Sequence, residues 1–391
     1  RTLLSSRSRL RRRFSMQKKI IALAVAGLVS GAALAQSNVT LYGRADLGYV
    51  YSKSDFRKFQ GVDSGNGIGS GASRIGLQGE EALGGGLKAI FKFEWGVNAD
   101  EGGGPTGARY TYVGLTGNFG TVTAGRIGTP SDLYMGGTAT QGINGVEPIN
   151  FYRNALDSVI HGTRWNNAVG YASPNFSGLE FMGLYSFGEK VSSSKRADGW
   201  YDCSTNTTTQ VTTCYEGADT ADAGQLGLGV RYANGPVYVA AIYQARADDD
   251  SVKPWGNGNA GYGAKGWGLG GAYDFKVVKL YANYFQTKGN DGGRANRGSD
   301  KRTAWSLGVG VPVSSAGTVT AEYAQFKDNL VSAGKSKGFD VGYRHNLSKR
   351  TWLYANVSRI DNDRDVNVGY TKTGVAGEKQ TNFVAGVVHL F

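Results

Sequence analysis

With 391 residues, 61 Gly, 7 Pro and 12% aromatic side chains, the chain is too rich in rings for a disordered protein, and its glycines have no collagen-like period. Its formal net charge of +12 gathers at the start: residues 1–35 hold eight Lys or Arg and no acid, which leaves 35 basic against 31 acidic residues from position 36 on. That remainder has no polybasic run, so no nucleic-acid partner is expected.

Residues 1–15 are rich in Arg and Ser and precede Met16. They read as an upstream extension of the reading frame, with a transit peptide as the alternative. From Met16 a short basic zone, an apolar run and Ala33-Leu34-Ala35 follow, the pattern of a secretory signal over 16–35 cleaved after Ala35. The apolar run falls short of the roughly 20 residues a membrane helix needs. No later window comes near that, so residence of 36–391 in a membrane has to come from strands.

The mature part opens with Val39, Leu41, Gly43, Ala45, Leu47, Tyr49 and Tyr51 on one face and Thr40, Tyr42, Arg44 and Asp46 on the other. Period two predicts a strand. Along 87–97 the rings of Phe91, Phe93 and Trp95 oppose Lys88, Lys92 and Glu94, which suits a strand dividing oil from water. Like segments follow at 73–80, 108–116, 121–127, 163–172, 179–187, 226–232, 236–247, 265–275, 278–288, 304–313, 318–328, 336–346, 351–361 and 379–391. The reading is all-β: a transmembrane antiparallel barrel of about 16 strands, even-numbered as closed bacterial barrels are. Short turns (118–120, 234–236, 347–350) alternate with long polar loops (52–72, 128–162, 188–222, 361–378), as periplasmic turns and external loops do. In a barrel of this size the centre is wet and polar inward positions are expected.

Cys203 and Cys214 lie in a Thr-rich loop segment with no His nearby, which favours a disulfide over a metal site in an oxidising compartment. Neither a cofactor nor a metal is expected. Trp95, Trp165, Trp267 and Trp305 read as an interfacial girdle in preference to sugar-stacking platforms.

Phe391, with Phe383, Ala385, Val387 and His389 on its face, resembles the last strand of Gram-negative outer-membrane proteins. Val39-Thr-Leu-Tyr-Gly43, Ser73-Arg-Ile-Gly-Leu-Gln-Gly79, Leu83-Gly-Gly-Gly-Leu-Lys-Ala89, Tyr112-Val-Gly-Leu115, Gly120-Thr-Val-Thr-Ala-Gly-Arg126 and Leu347-Ser-Lys-Arg-Thr351 are narrower markers. Together they resemble the trimeric general porins, most closely the betaproteobacterial branch. The resemblance implies an outer-membrane homotrimer, each barrel passing small ions and hydrophilic solutes by passive diffusion. It also implies Phe391 as a signal to the barrel-assembly machinery, contact with lipid and lipopolysaccharide, and an inward-folded constriction loop, here 128–162.

Arg74, Arg109 and Arg126 match basic pore-wall positions of that family, and alternation adds Arg44, Lys88 and Lys92. Arg stays charged at any ordinary pH. Asp132, Glu147 and Asp157 are the candidate loop acids, expected to face that wall across the opening. The chain lacks the Pro-Glu-Phe-Gly-Gly loop motif of some porins, and Glu147-Pro148 reverses its first pair. Because wall cations outnumber the acids, mild anion preference is expected. The rivals are an outer-membrane hydrolase, for which His161 beside Asp157 and Ser158 is the one faint triad, and a structural or adhesive barrel with a closed pore.

Overall fold

The computed structural model describes residues 38–64, 73–102, 104–135, 163–187, 190–191, 202–206, 211–215, 220–221, 224–246, 265–288, 301–329, 334–367 and 375–391. The expected extension and signal at 1–35, and Glu147, Asp157 and His161, lie outside the described residues.

Alternating segments become strands in chain order: β1 (Asn38–Lys53), β2 (Lys58–Asp63), β3 (Arg74–Gly84), β4 (Leu87–Val97), β5 (Pro105–Gly117), β6 (Gly120–Gly128), β7 (Arg164–Ala172) and β8 (Leu179–Ser186). Four short outer strands follow: β9 (Lys190–Val191), β10 (Asp202–Asn206), β11 (Val211–Tyr215) and β12 (Thr220–Ala221). The wall resumes with β13 (Gln225–Asn234), β14 (Val237–Arg246), β15 (Lys265–Asp274), β16 (Lys279–Lys288), β17 (Lys301–Pro312), β18 (Gly317–Asp328), β19 (Lys335–Asn346), β20 (Thr351–Asn362) and β21 (Lys379–Leu390).

Each wall strand pairs antiparallel with the next, β8 passes to β13, and β21 pairs with β1, so the sheet closes on itself. Both β2 and β3 lie beside β1, β2 along its second half and β3 along its first. They share one position in the wall, which makes a closed 16-strand barrel. Closure leaves no sheet edge for lipid to meet. The sequence placed β2 inside a polar loop. Its short alternating run ends in a Gly-rich excursion, and only pairing with the overhanging end of β1 makes it a strand. Ser73 N–H donates to Ser64 O at 3.3 Å, so the chain departs and returns at one point of the wall.

Outward positions carry Leu41, Val113, Leu228, Leu269, Leu307, Phe339 and Leu353, all exposed on the lipid side. An Arg or Lys there would cost about 2–4 kcal/mol at the bilayer midplane. Inward positions carry Asp46, Glu94, Arg302 and Asp340, all buried. Trp267 and Trp305 lie outward against Tyr284 and Tyr323 at 5.2 and 5.5 Å between ring centroids. Trp165 departs from the expected girdle: it is 2% exposed and packs with Ile127, Ala168 and Leu184. The cause is a register shift between β6 and β7 at Gly125/Ile127, which changes which side chains point inward.

The interior is not uniformly polar as the sequence suggested. Ile242, Phe285, Ala304, Ala324, Phe326 and Ile360 form an apolar patch on the wall, covered by Tyr134, Met135 and Val366 from outside the strands. That patch is a seat for the chain that leaves β6.

Candidate pore constriction

Glu94 of β4, 2% exposed, is the centre of the site. Its Oε1 accepts a hydrogen bond from Arg109 Nε at 2.6 Å, and its Oε2 accepts one from the Tyr42 hydroxyl at 2.8 Å. Arg74 Nε and Lys92 Nζ stand 3.7 and 3.9 Å from Oε2. Lys92 is further held between the rings of Tyr42 and Tyr110, at 5.0 and 4.9 Å from their centroids. The arrangement follows from local register: Glu94 faces Gly76 of β3, which in turn faces Tyr42 of β1. Gly76 leaves room for the Tyr42 ring to lie across β3 and reach the carboxylate, since a Cβ there would fall 2.5 Å from that ring. One shift between β4 and β5 at Glu94/Trp95 brings Arg109 onto the same carboxylate.

The other cations flank this cluster. Arg44 stands opposite Arg74 in register, pairs with Asp46 at 3.0 Å and lies 5.7 Å from the Trp352 ring centroid. Asp46 also accepts the Tyr354 hydroxyl at 2.9 Å. Arg344 covers the same Trp352 ring at 4.1 Å. Arg126 Nε donates to Ala108 O at 2.9 Å and its Nη1 to Asn166 Oδ1 at 2.5 Å. Gly125 just before it adopts φ 133°, a conformation that a side chain would strain, and next to it Asn166 and Asn167 of β7 stand as a bulge against Arg126 alone, with Asn167 at φ 49°.

The described start of the loop expected at 128–162, residues 129–135, turns inward from the end of β6. Thr129 N–H donates to Thr163 O at 2.9 Å and pinches the base of the loop. A single π-turn, Ser131–Met135, then lies against β13 and β14. Ser131 N–H donates to the buried Gln244 Oε1 at 3.2 Å, and the Tyr238 hydroxyl donates to Tyr134 O at 2.5 Å. Met135, fully buried, enters the apolar patch beside Phe285. Burial pushes the Tyr134 hydroxyl up to about 12, so it stays neutral and serves as packing beneath Arg231, 4.8 Å from its ring.

Two sequence expectations need correction. Asp132 does not face the basic wall across an opening: its Oδ2 accepts the Tyr110 hydroxyl at 2.7 Å and pairs with Arg164 at 3.4 Å. Four residues beyond the end of β6, it is too close to that strand to reach the far side. Lys88 does not join the cluster either: it pairs with Glu80 at 2.7 Å, both side chains about half exposed beside the 85–86 turn. Six residues of strand put it about 20 Å from Glu94. Arg44, Arg74, Lys92, Arg109 and Arg126 do come together, joined by Arg164 and by Glu94, which sequence reasoning had placed on the inward face without assigning it a role. Arg164, at the first position of β7, carried no alternation signal strong enough to place it. The pairing of β10 with β11 places the backbone of Cys203 opposite Cys214 in register.

The arrangement is a closed barrel with an apolar outside, a charged inner wall and a chain at 129–135 turned inward from the wall, which defines a transmembrane diffusion channel. Residues 22–365 match the family model described as Gram-negative porin. The chain is 33% identical to outer membrane porin protein 32 of Delftia acidovorans, over 96% of this chain and all of the relative. It is 32% identical to an outer membrane porin protein of Bordetella pertussis, over 87% of this chain and 93% of that one. Among solved structures, an anion-selective porin from Comamonas acidovorans superposes with a TM-score of 0.73 at 29% identity, covering 91% of this chain and all of that one. OmpT of Vibrio cholerae shares the fold with a TM-score of 0.62 at 16% identity over 92% of this chain and all of that one. The chain belongs to the Gram-negative porins and is an outer-membrane protein whose barrel forms a water-filled channel for small hydrophilic solutes.

Proposed function

We propose that this channel prefers anions and that Arg44, Arg74, Lys92, Arg109, Arg126 and Arg164 are its filter. The observation that carries the reading is the environment of Glu94: one carboxylate is shared among Arg74, Lys92 and Arg109, so the wall keeps excess positive charge after all its short contacts are made. A narrow aqueous passage with low-dielectric walls concentrates the field of that excess and raises the local concentration of anions. The cations are held by aromatic rings and hydrogen bonds, so they present a fixed charge pattern to a passing solute. The relative from Comamonas acidovorans described as anion-selective supports the same sign. Family resemblance supports a homotrimer in lipid and lipopolysaccharide, with Phe391 read by the barrel-assembly machinery.

The test is reversal potential in a planar bilayer under a salt gradient, for the wild type and for Arg74→Gln/Arg109→Gln/Arg126→Gln. Anion preference that falls in the variant, with conductance steps in threes, supports filter and trimer. A cation-selective wild type, or unchanged selectivity in the variant, overturns the filter.

A further inference from the structure

Away from the arginines, a second polar cluster lies on the inner wall of β16 to β20. Tyr281, Gly308, Glu322, Asp340 and Ser358 are successive register partners, a single row across five strands. Gly308 has no side chain, and the Tyr281 ring lies across it where a Cβ would overlap it. The Tyr281 hydroxyl is thereby carried one strand toward Glu322. It is within electrostatic reach of both carboxylates. Tyr281 is 4% exposed, and its hydroxyl has no hydrogen-bond partner among the described residues.

Asp340 is also 4% exposed. Its Oδ2 accepts Asn356 Nδ2 at 2.6 Å, which fixes the amide and leaves the Asn356 carbonyl oxygen as the free end. Among the described residues neither Asp340 Oδ1 nor Asn356 Oδ1 has a hydrogen-bond partner. Buried carboxylates normally have a cation or hydrogen bonds to all their lone pairs. Here the unmet groups, on Tyr281, Asp340 and Asn356, are all oxygens, and Glu322 stands between Tyr281 and Asp340 in the row.

We propose that Glu322, Asp340, Asn356 and Tyr281 form a binding site for a hard divalent cation, Ca2+ being the best fit. Carboxylate and amide carbonyl oxygens are the ligands Ca2+ takes, at about 2.3–2.6 Å, with water completing its six to eight positions. The phenol orients a carboxylate or a bound water, as outer hydrogen bonds do at metal sites. Mg2+ demands a stricter octahedron and gives up its water reluctantly, so it fits this strand-borne set less well.

The test uses the exported, detergent-purified protein, stripped with EDTA and titrated with Tb3+ under tyrosine excitation. The expected result is sensitised emission displaced by Ca2+, with binding on the order of tenfold or more weaker in Asp340→Asn and Glu322→Gln. Tyr281→Phe keeps the ring on Gly308 and is expected to lose most of the emission. Emission unchanged in the Glu322→Gln/Asp340→Asn double variant would overturn the site in favour of external loop or lipopolysaccharide ligands. If the variants do not fold, wild-type crystals soaked in Tb3+ decide it: an anomalous peak beside Asp340 Oδ1 supports the site, and its absence there overturns it. Binding is read without reference to selectivity, so either reading can fail alone.

Discussion

Arg109 Nε donates to Glu94 Oε1 at 2.6 Å, while the other oxygen of the same carboxylate is shared by Tyr42, Arg74 and Lys92. Glu94 therefore both assembles the cationic wall and reduces its net charge. In Glu94→Gln the amide still accepts one hydrogen bond but no longer cancels a charge. Reversal potential is expected to move further toward the anion limit, with some loss of stability because Arg74, Lys92 and Arg109 then repel one another. A shift toward cations would show that these residues do not set the sign of the field.

Lys88 provides the contrast. It is tied to Glu80, half exposed and about 20 Å of strand from Glu94, more than two Debye lengths at physiological ionic strength. Lys88→Gln is expected to leave selectivity unchanged, while Lys92→Gln lowers anion preference. Equal effects of the two substitutions in the same bilayer assay would refute a local filter.

Met135 fastens the inward loop to the apolar patch between β14 and β20. Removing a buried Met side chain costs about 2–5 kcal/mol when its surroundings cannot collapse. Met135→Ala is expected to loosen the loop without opening the barrel, seen as noisier single-channel current of altered mean conductance. Quiet channels identical to wild type would mean that other contacts carry the loop.

Phe391 and Gly43 close the barrel. Gly43 N–H donates to Phe391 O at 2.9 Å, Phe391 N–H donates to Gly43 O at 3.2 Å, and the Phe391 ring occupies the place of a side chain at 43. Gly43→Val displaces that ring, and overpacking of this kind costs about 1–3 kcal/mol. Folded barrel is expected to decrease, measured as the heat-modifiable band on gels. Gly104→Ala, where an added methyl meets nothing within 4 Å and φ is not positive, is the control for handling losses.

Cys203 and Cys214 face each other in backbone register on the outer hairpin. Exported protein is expected to resist maleimide labelling until it is reduced, and labelling without reductant would rule out the disulfide.

The fold class was legible from the sequence because a barrel wall imposes its requirement at every second residue: Leu307 has to meet lipid whatever its neighbours do, so alternation survives in each strand alone. The cations at 44, 74 and 92 were legible for the same reason, as charged members of the inward set, whereas 109 and 126 were matched by family resemblance. Height along the wall was not, and that is why Lys88 was grouped with Lys92. Alternation reports which face a residue takes, whereas its neighbours across the barrel depend on register, and register is settled by pairing between strands. Bulges break the count as well, and one at Asn166 and Asn167 of β7 turned Trp165 inward against expectation. The seat of the loop was equally hidden, since Met135 meets Phe285 only once β6 and β16 stand in one closed wall. Sequence alone determined an oil-facing, water-lined barrel with a basic interior. Only the tertiary structure decided which charges meet, because Glu94, Arg74, Arg109 and Tyr42 come from four strands whose relative register no single segment encodes.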